Sequence, residues 1–211
     1  MANKRIRVAI SKGRILKEVA SCLSDAGYKN NIAKTTTREL VFQVKNLQIL
    51  SCKPSDVPKY VELGAADCGI VGSDCVKEAD CDIYEPVELP IGKCQMVLAC
   101  LKNKKIELKP GMDIRIGTKY PNIAKGFFQK ENITPEIVFL NGSVELAPIT
   151  GLADAIVDIT ETGATIKENN LKIIKKIMDV SAKVVVNKTS FRTLNNEIEE
   201  VISSLVKKIK I

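Results

Sequence analysis

The stretch ADAIVDITETGAT, residues 153–165, runs from an apolar segment straight into acids, hydroxyls and a glycine, an arrangement that suits a phosphorylated sugar better than a core. A short apolar run ends in Asp158, Glu161 follows, and Thr162, Gly163, Ala164 and Thr165 close the segment. A strand ending at Asp158 places the next residues at the carboxyl edge of a sheet, where open α/β folds bind ligands. Gly163 lets the main chain approach an anion or adopt positive φ. Thr162 and Thr165 offer hydroxyl donors. Successive backbone N–H groups, with a helix beginning near Thr165, form an anion nest suited to a terminal phosphate. Asp158 and Glu161 suit ribose hydroxyls, a developing positive charge at an anomeric carbon, or an oxygen-loving Mg²⁺ ion. The competing reading is an ordinary β-turn whose acids and hydroxyls face water. Neither a Walker loop nor a GxGxxG dinucleotide fingerprint occurs.

Four other loops follow expected strands. Ser11-Lys12-Gly13-Arg14 brings two cations to a helix start, an anion-binding geometry or a solvated basic turn. Asp67 to Asp74 holds Gly69, Gly72 and Ser73 around a strand end, for a ligand or for tight strand–helix packing. In Thr118-Lys119-Tyr120-Pro121, Lys119 is placed to reach a phosphate. Asn141-Gly142-Ser143, with Glu145 beyond, offers an anion site or a simple helix cap. Five such loops at strand ends suggest a shared cleft for a ligand with several charged groups.

Composition narrows the chemistry. The 211 residues include no histidine, which excludes a catalytic histidine triad and a histidine-ligated zinc within this chain. The net charge of +7 favours anionic partners. The lysines are dispersed and aromatics are only 4%, too few for a base-stacking platform, so a small polyphosphate is expected rather than nucleic acid. Seven cysteines without a CxxC pair fit reduced thiols in a cytoplasmic protein. The basic amino terminus has no sustained apolar segment, so neither a signal peptide nor a membrane span is expected.

These loops need a scaffold of alternating strands and helices. Arg5–Ile10, Leu40–Val44, Leu47–Cys52, Asp67–Val71, Cys94–Leu101, Ile114–Gly117, Ile137–Leu140 and Ser181–Val186 read as strands, with Ile173–Ile177 a weaker one. Helices are expected over Ile15–Ala26 with Gly27 as C-cap, after Pro54 with Ser55 as N-cap, after Gly72, after Pro121, from Gly142-Ser143, and over Asn195–Lys208. The alternation predicts an α/β protein with largely parallel strands and no repeated motif. Two α/β lobes with a cleft between them are expected: residues 1–92 with 179–211, and residues 93–178. Candidate hinges are Pro90–Lys93 and the region near Met178–Ser181.

The blocks SKGR (11–14), DVPKYVELGAADCGIVGSD (56–74), TKYPNIAK (118–125), NGSVELAP (141–148) and GLADAIVDITETGAT (151–165) together resemble those of the ATP phosphoribosyltransferase family, short form. The resemblance spans essentially the whole chain. It implies a type II periplasmic-binding-protein-like fold. It implies transfer of 5-phosphoribosyl from 5-phospho-α-D-ribose 1-diphosphate to N1 of ATP, with Mg²⁺, as the first step of histidine biosynthesis. It also implies a homodimer and a hetero-oligomer with a regulatory subunit resembling histidyl-tRNA synthetase.

Under that resemblance Glu161, Thr162, Gly163, Ala164 and Thr165 cradle the 5-phosphate. Asp154 and Asp158 lie near the ribose or its metal, and Lys12 and Arg14 meet diphosphate or ATP phosphates. Asp154, Asp158 and Lys12 are the expected catalytic residues, and Asp67, Gly72, Ser73 and Lys119 complete the substrate set. One departure stands out: where the family commonly has arginine after the cysteine, this chain has Gln95. The alternatives are a non-catalytic binder of a phosphorylated metabolite and a regulatory subunit on the same fold.

Overall fold

The computed structural model describes residues 5–25 and 39–209. The Gly27 cap and the end of the first helix at Ala26 lie outside the described residues. Contacts divide the chain into two compact units, Met1–Gly92 with Ser181–Ile211, and Lys93–Val180.

The first unit begins with β1 (Ile6–Ser11), α1 (Arg14–Asp25), β2 (Val41–Val44) and β3 (Leu47–Cys52). A 3-10 turn (Pro54–Asp56), α2 (Val57–Glu62), β4 (Cys68–Gly72) and α3 (Ser73–Ala79) follow. Strand β5 (Tyr84–Leu101) carries the chain into the second unit, which holds β6 (Arg115–Thr118), α4 (Pro121–Lys130), β7 (Glu136–Phe139), α5 (Leu146–Ile149), β8 (Ala155–Thr160) and α6 (Ala164–Glu168). Strand β9 (Leu171–Val186) returns it, and α7 (Lys188–Thr193) and α8 (Asn195–Ile209) complete the first unit.

In the first unit the strand order is β2-β3-β1-β4-β9. Alternation along β1 decides which helices cover which face. Val8 and Ile10 join the core formed with Val19 and Leu23 of α1 and Ile198 and Val201 of α8. Ala9, between them, joins Val57 and Val61 of α2 and Val76 of α3. This is the two-residue period of a strand buried on both faces. Each such fully buried aliphatic side chain contributes about 1.5–3 kcal/mol. A Cβ on Gly69 would meet Val57 Cγ1 at 2.9 Å, so α2 lies against β4 only because that position is glycine.

The second unit orders its strands β5-β8-β6-β7. Ile116 of β6 and Val157 of β8 pack with Ile123, Ala124 and Phe128 of α4. Ile156, on the opposite face of β8, packs with Val144 before α5 and Ile166 of α6. The turns that precede α5 and α6 therefore sit over one face of β8.

Several expectations change. The sheet is mixed: β1 runs parallel to β3 and β4, and β6 parallel to β7 and β8, but β5 is antiparallel to β8 and β9 to β4. Cys94–Leu101 is the second half of the longer β5, and Pro86 and Pro90 lie in its first half, outside the Gln95–Cys100 stretch paired with β8. The two segments expected at Ile173–Ile177 and Ser181–Val186 are one strand, β9. Ser55 does not cap α2: it lies inside the 3-10 turn and donates to Asp56 Oδ1. Asn141-Gly142 form a bend, Ser143 has φ 48°, and α5 begins only at Leu146.

A motif does repeat, contrary to the sequence reading. Gly64-Ala65-Ala66-Asp67 before β4 and Gly151-Leu152-Ala153-Asp154 before β8 share a Gly-x-Ala-Asp pattern. Both glycines have positive φ, 71° and 76°. Both alanines are fully buried and donate back to α2 or α5, Ala66 to Tyr60 O and Ala153 to Ala147 O.

Candidate active site

In the second unit, Lys119 follows the last residue of β6, Asp158 lies near the end of β8, and Glu161–Thr165 form the turn beyond it. Parallel pairing of β6 with β8, with Thr118 opposite Val157, brings these segments to one carboxyl edge. Lys119 Nζ stands 3.7 Å from Asp158 Oδ1 and 5.0 Å from the centre of the Tyr120 ring. The Asp158 side chain is only 15% exposed.

Burial pushes the Asp158 carboxyl above its ordinary value, and the nearby Glu145 charge pushes the same way. Lys119 and the Ile159 N–H, which donates to Asp158 Oδ1 at 2.8 Å, oppose the rise. Glu145 was read from sequence only as a neighbour of an anion loop. Its effect here is a second negative charge on the same side as Asp158.

The turn after β8 is built from within. Gly163 has φ 76° and is the left-handed residue that opens α6. Its N–H donates to Thr160 Oγ1 at 3.0 Å, and the Ala164 N–H donates to Thr162 Oγ1 at 3.3 Å. Ile166 is buried and anchors the turn, while Glu161, Thr162, Ala164 and Thr165 are exposed. No Cβ built on Gly163 meets another atom within 4 Å, so backbone conformation, not space, calls for glycine. Gln95 of β5 is paired with Thr160, beside this turn, and is exposed.

In the first unit the carboxyl edges of β1 and β4 hold a second group. Ser11 is buried, Lys12 N–H donates to Cys52 O, and Gly13 has φ 97°. Arg14 opens α1 and reaches Glu18 at 3.5 Å. Gly72 ends β4; a Cβ there would fall 2.2 Å from Asp74 Oδ1. Ser73 Oγ accepts the Ser181 N–H at 3.3 Å.

Two expected site residues stand apart from both groups. Asp67 precedes β4, at the amino edge of the strand that ends in Gly72, about 16 Å away at strand rise. Its carboxylate accepts the Arg7 N–H at 2.8 Å and Nε at 3.1 Å on Oδ2, and Arg7 Nη2 at 2.9 Å and Ser190 Oγ at 2.8 Å on Oδ1. Asp154 repeats this before β8: Arg115 N–H and Nε reach Oδ2 at 3.0 and 3.3 Å, and Nη2 reaches Oδ1 at 3.2 Å. It lies about 13 Å of strand from Asp158.

Each aspartate also donates its own N–H to the arginine's carbonyl. Burial pushes both carboxyls up, but the combined arginine bonds, with Ser190 at Asp67 and Lys104 at Asp154, hold them below the ordinary value. These are clamps that register parallel strands. Sequence reading missed Arg7 and Arg115, which stand at the starts of β1 and β6 and meet the aspartate of each Gly-x-Ala-Asp.

Among the described residues, no group of three or more acids or cysteines is gathered as a metal site. The seven cysteines are thiols, and burial pushes that of Cys68 up to about 12, which leaves it inert at neutral pH. No described helix is long and apolar enough to cross a membrane.

The family model for HisG, ATP phosphoribosyltransferase, matches residues 53–209. The chain is 44% identical over 203 residues to an ATP phosphoribosyltransferase of Brachyspira hyodysenteriae, covering 95% of this chain and 98% of the relative. It is 42% identical to that of Clostridium novyi, covering 96% and 97%. Among solved structures, it is similar to the ATP phosphoribosyl transferase (HisG:HisZ) complex of Thermotoga maritima, with TM-score 0.84, 36% identity, and coverage of 97% and 98%. The fold is therefore the mixed α/β, periplasmic-binding-protein-like arrangement of that structure.

Proposed function

The chain belongs to the ATP phosphoribosyltransferase family, and on that premise we propose that the carboxyl edge of its second unit holds the phosphoribosyl donor. It is an enzyme that joins ATP and 5-phosphoribosyl 1-diphosphate to give N1-(5-phospho-β-D-ribosyl)-ATP and diphosphate, the first step of histidine biosynthesis. The observation that carries the donor assignment is the Lys119–Asp158 pair beside a positive-φ turn rich in hydroxyls.

The chemistry asks for little proton transfer. Adenine N1 attacks with its own lone pair, the bond from the anomeric carbon to diphosphate breaks, and diphosphate leaves with that electron pair. A protein without histidine can drive this by positioning and charge. In our reading, the Glu161–Thr165 turn grips the 5-phosphate through main-chain N–H groups and threonine hydroxyls. Asp158 faces the ribose, where its charge favours the positive character that grows at the anomeric carbon as diphosphate departs. Lys119 takes a donor phosphate oxygen when the ligand competes for its contact with Asp158. Lys12 and Arg14, on the first unit, supply cations for diphosphate or ATP phosphates, with Gly72 and Ser73 near them.

Mg²⁺ fits as an ion carried by the substrate's phosphates and touching one protein carboxylate, a mode this cation commonly uses. Asp158 is the residue that would hold it; Asp154, engaged by Arg115, is not. The ion supplies neutralisation of the departing diphosphate. The similar Thermotoga maritima structure is a HisG:HisZ complex, and we extend to this chain a regulatory partner of that kind, resembling histidyl-tRNA synthetase, alongside a homodimer in the cytoplasm.

The test is calorimetric titration of 5-phosphoribosyl 1-diphosphate with Mg²⁺ into the wild-type chain and a Gly163→Ala/Thr165→Ala variant. The assignment expects at least about tenfold weaker binding in the variant. Unchanged affinity would defeat it.

A further inference from the structure

We infer that Thr118 is a positioning residue for the donor site, a hydroxyl latch that fixes Lys119 against Asp158. The inference rests on the reading of this edge as the donor site. Thr118 is fully buried at the last position of β6. Its hydroxyl donates to Val157 O at 2.7 Å and accepts the Tyr120 N–H at 2.9 Å. Val157 immediately precedes Asp158, and Tyr120 immediately follows Lys119. One oxygen therefore ties the backbone on one side of each member of the ion pair.

The latch acts where the ladder stops. Pairing of β6 with β8 ends at Thr118 opposite Val157, while the Thr118 carbonyl turns the other way to accept the Leu140 N–H. Beyond that register, the hydroxyl takes over from the backbone as the link between the strands. It also fixes the entry to α4, whose first residue is Pro121, and so directs Lys119 toward β8. A hydroxyl with one donor and one acceptor duty is satisfied in both. Valine has the same shape and can do neither, leaving a buried carbonyl and a buried N–H without their shared partner.

The experiment compares donor affinity, by calorimetry with 5-phosphoribosyl 1-diphosphate and Mg²⁺, in the full-length wild type, Thr118→Val, Thr118→Ser and Lys119→Met. Thr118→Val is expected to bind the donor about tenfold more weakly, a cost in the range that small misplacements of a binding group produce. Thr118→Ser, which keeps the hydroxyl, returns to within about twofold of wild type. Recovery by serine, which restores only the hydroxyl, is the readout that general loosening does not produce. If the valine variant fails to fold, Thr118→Cys, similar in size with a weak donor, takes its place.

Wild-type affinity in Thr118→Val overturns the proposal, as does a serine variant as weak as the valine one. If Lys119→Met leaves affinity unchanged, the donor-site reading itself fails. A weakened Lys119→Met with an unaffected Thr118→Val removes the latch alone.

Discussion

Asp154 precedes β8 and Asp158 lies near its carboxyl end, so the two meet different partners: Asp158 meets Lys119, just past the end of β6, and Asp154 is held by Arg115 at the start of β6. On the proposed donor assignment, that separation divides ligand binding from strand registry, and most tests of the site follow from it.

Removing the cation should cost binding. Lys119→Met leaves Asp158 buried without its neighbouring charge, so its carboxyl rises further and the donor loses a phosphate contact. We expect kcat/KM for the donor to fall by about 100-fold, the order seen when one charge-stabilising group is lost. Steady-state kinetics with varied donor measure it.

The clamps should matter for stability and for its acid limit. Asp67→Asn is expected to cost about 2 kcal/mol, because the Asp67 side chain is only 4% exposed and its charged hydrogen bonds are lost. Asp154→Asn should cost about 1 kcal/mol, since its side chain and that of Arg115 are 31% and 42% exposed and water screens the pair. Both carboxyls titrate lower when folded than unfolded. Their contribution is therefore present above the unfolded value of about 3.9 and is lost as pH falls through the folded one. Urea unfolding across pH 2–6 should show a shallower acid loss in each variant. Equal acid slopes in wild type and variants would contradict the clamp assignment.

Asp158 runs the other way. Its folded carboxyl is raised, so ionising it opposes folding as pH climbs through that raised value. On the proposed assignment donor affinity needs the ionised form and should therefore decline on acidification at a pH above the ordinary aspartate value. Calorimetry between pH 4 and 8 should show this limb in wild type and its absence in Asp158→Asn.

Gln95, paired with Thr160 beside the Glu161–Thr165 turn, is placed to tune affinity if that turn holds the donor phosphate as proposed. Gln95→Arg adds an exposed cation there and should tighten donor binding by about two- to fivefold at low salt, with the gain shrinking as salt rises. Binding that is unchanged or weaker at low salt would show that position 95 does not face the anion.

Much of the scaffold was legible because it depends on local signals. Apolar alternation marked β1, and β8 was visible as an apolar run closing on Asp158, with Gly163 marking the turn. The first half of β5, which holds Pro86 and Pro90, was not read as a strand, and Pro90–Lys93 was expected as a hinge instead. The α2 start was misread because Ser55 can cap only if the chain turns helical after it, and a 3-10 turn intervenes.

Asp154 and Asp67, expected with the ligand, are held by arginines at the amino ends of their strands. A strand that carries Asp154 to Asp158 separates them by about 13 Å. The arginine partners were missed because Arg7 and Asp67 meet only through the pairing of strands from distant segments.

The most direct test of the donor assignment compares two substitutions on this one strand. Donor affinity with Mg²⁺ should fall by at least about tenfold in Asp158→Asn and stay within about twofold of wild type in Asp154→Asn. Equal losses in both variants, or a loss confined to Asp154→Asn, would contradict the account.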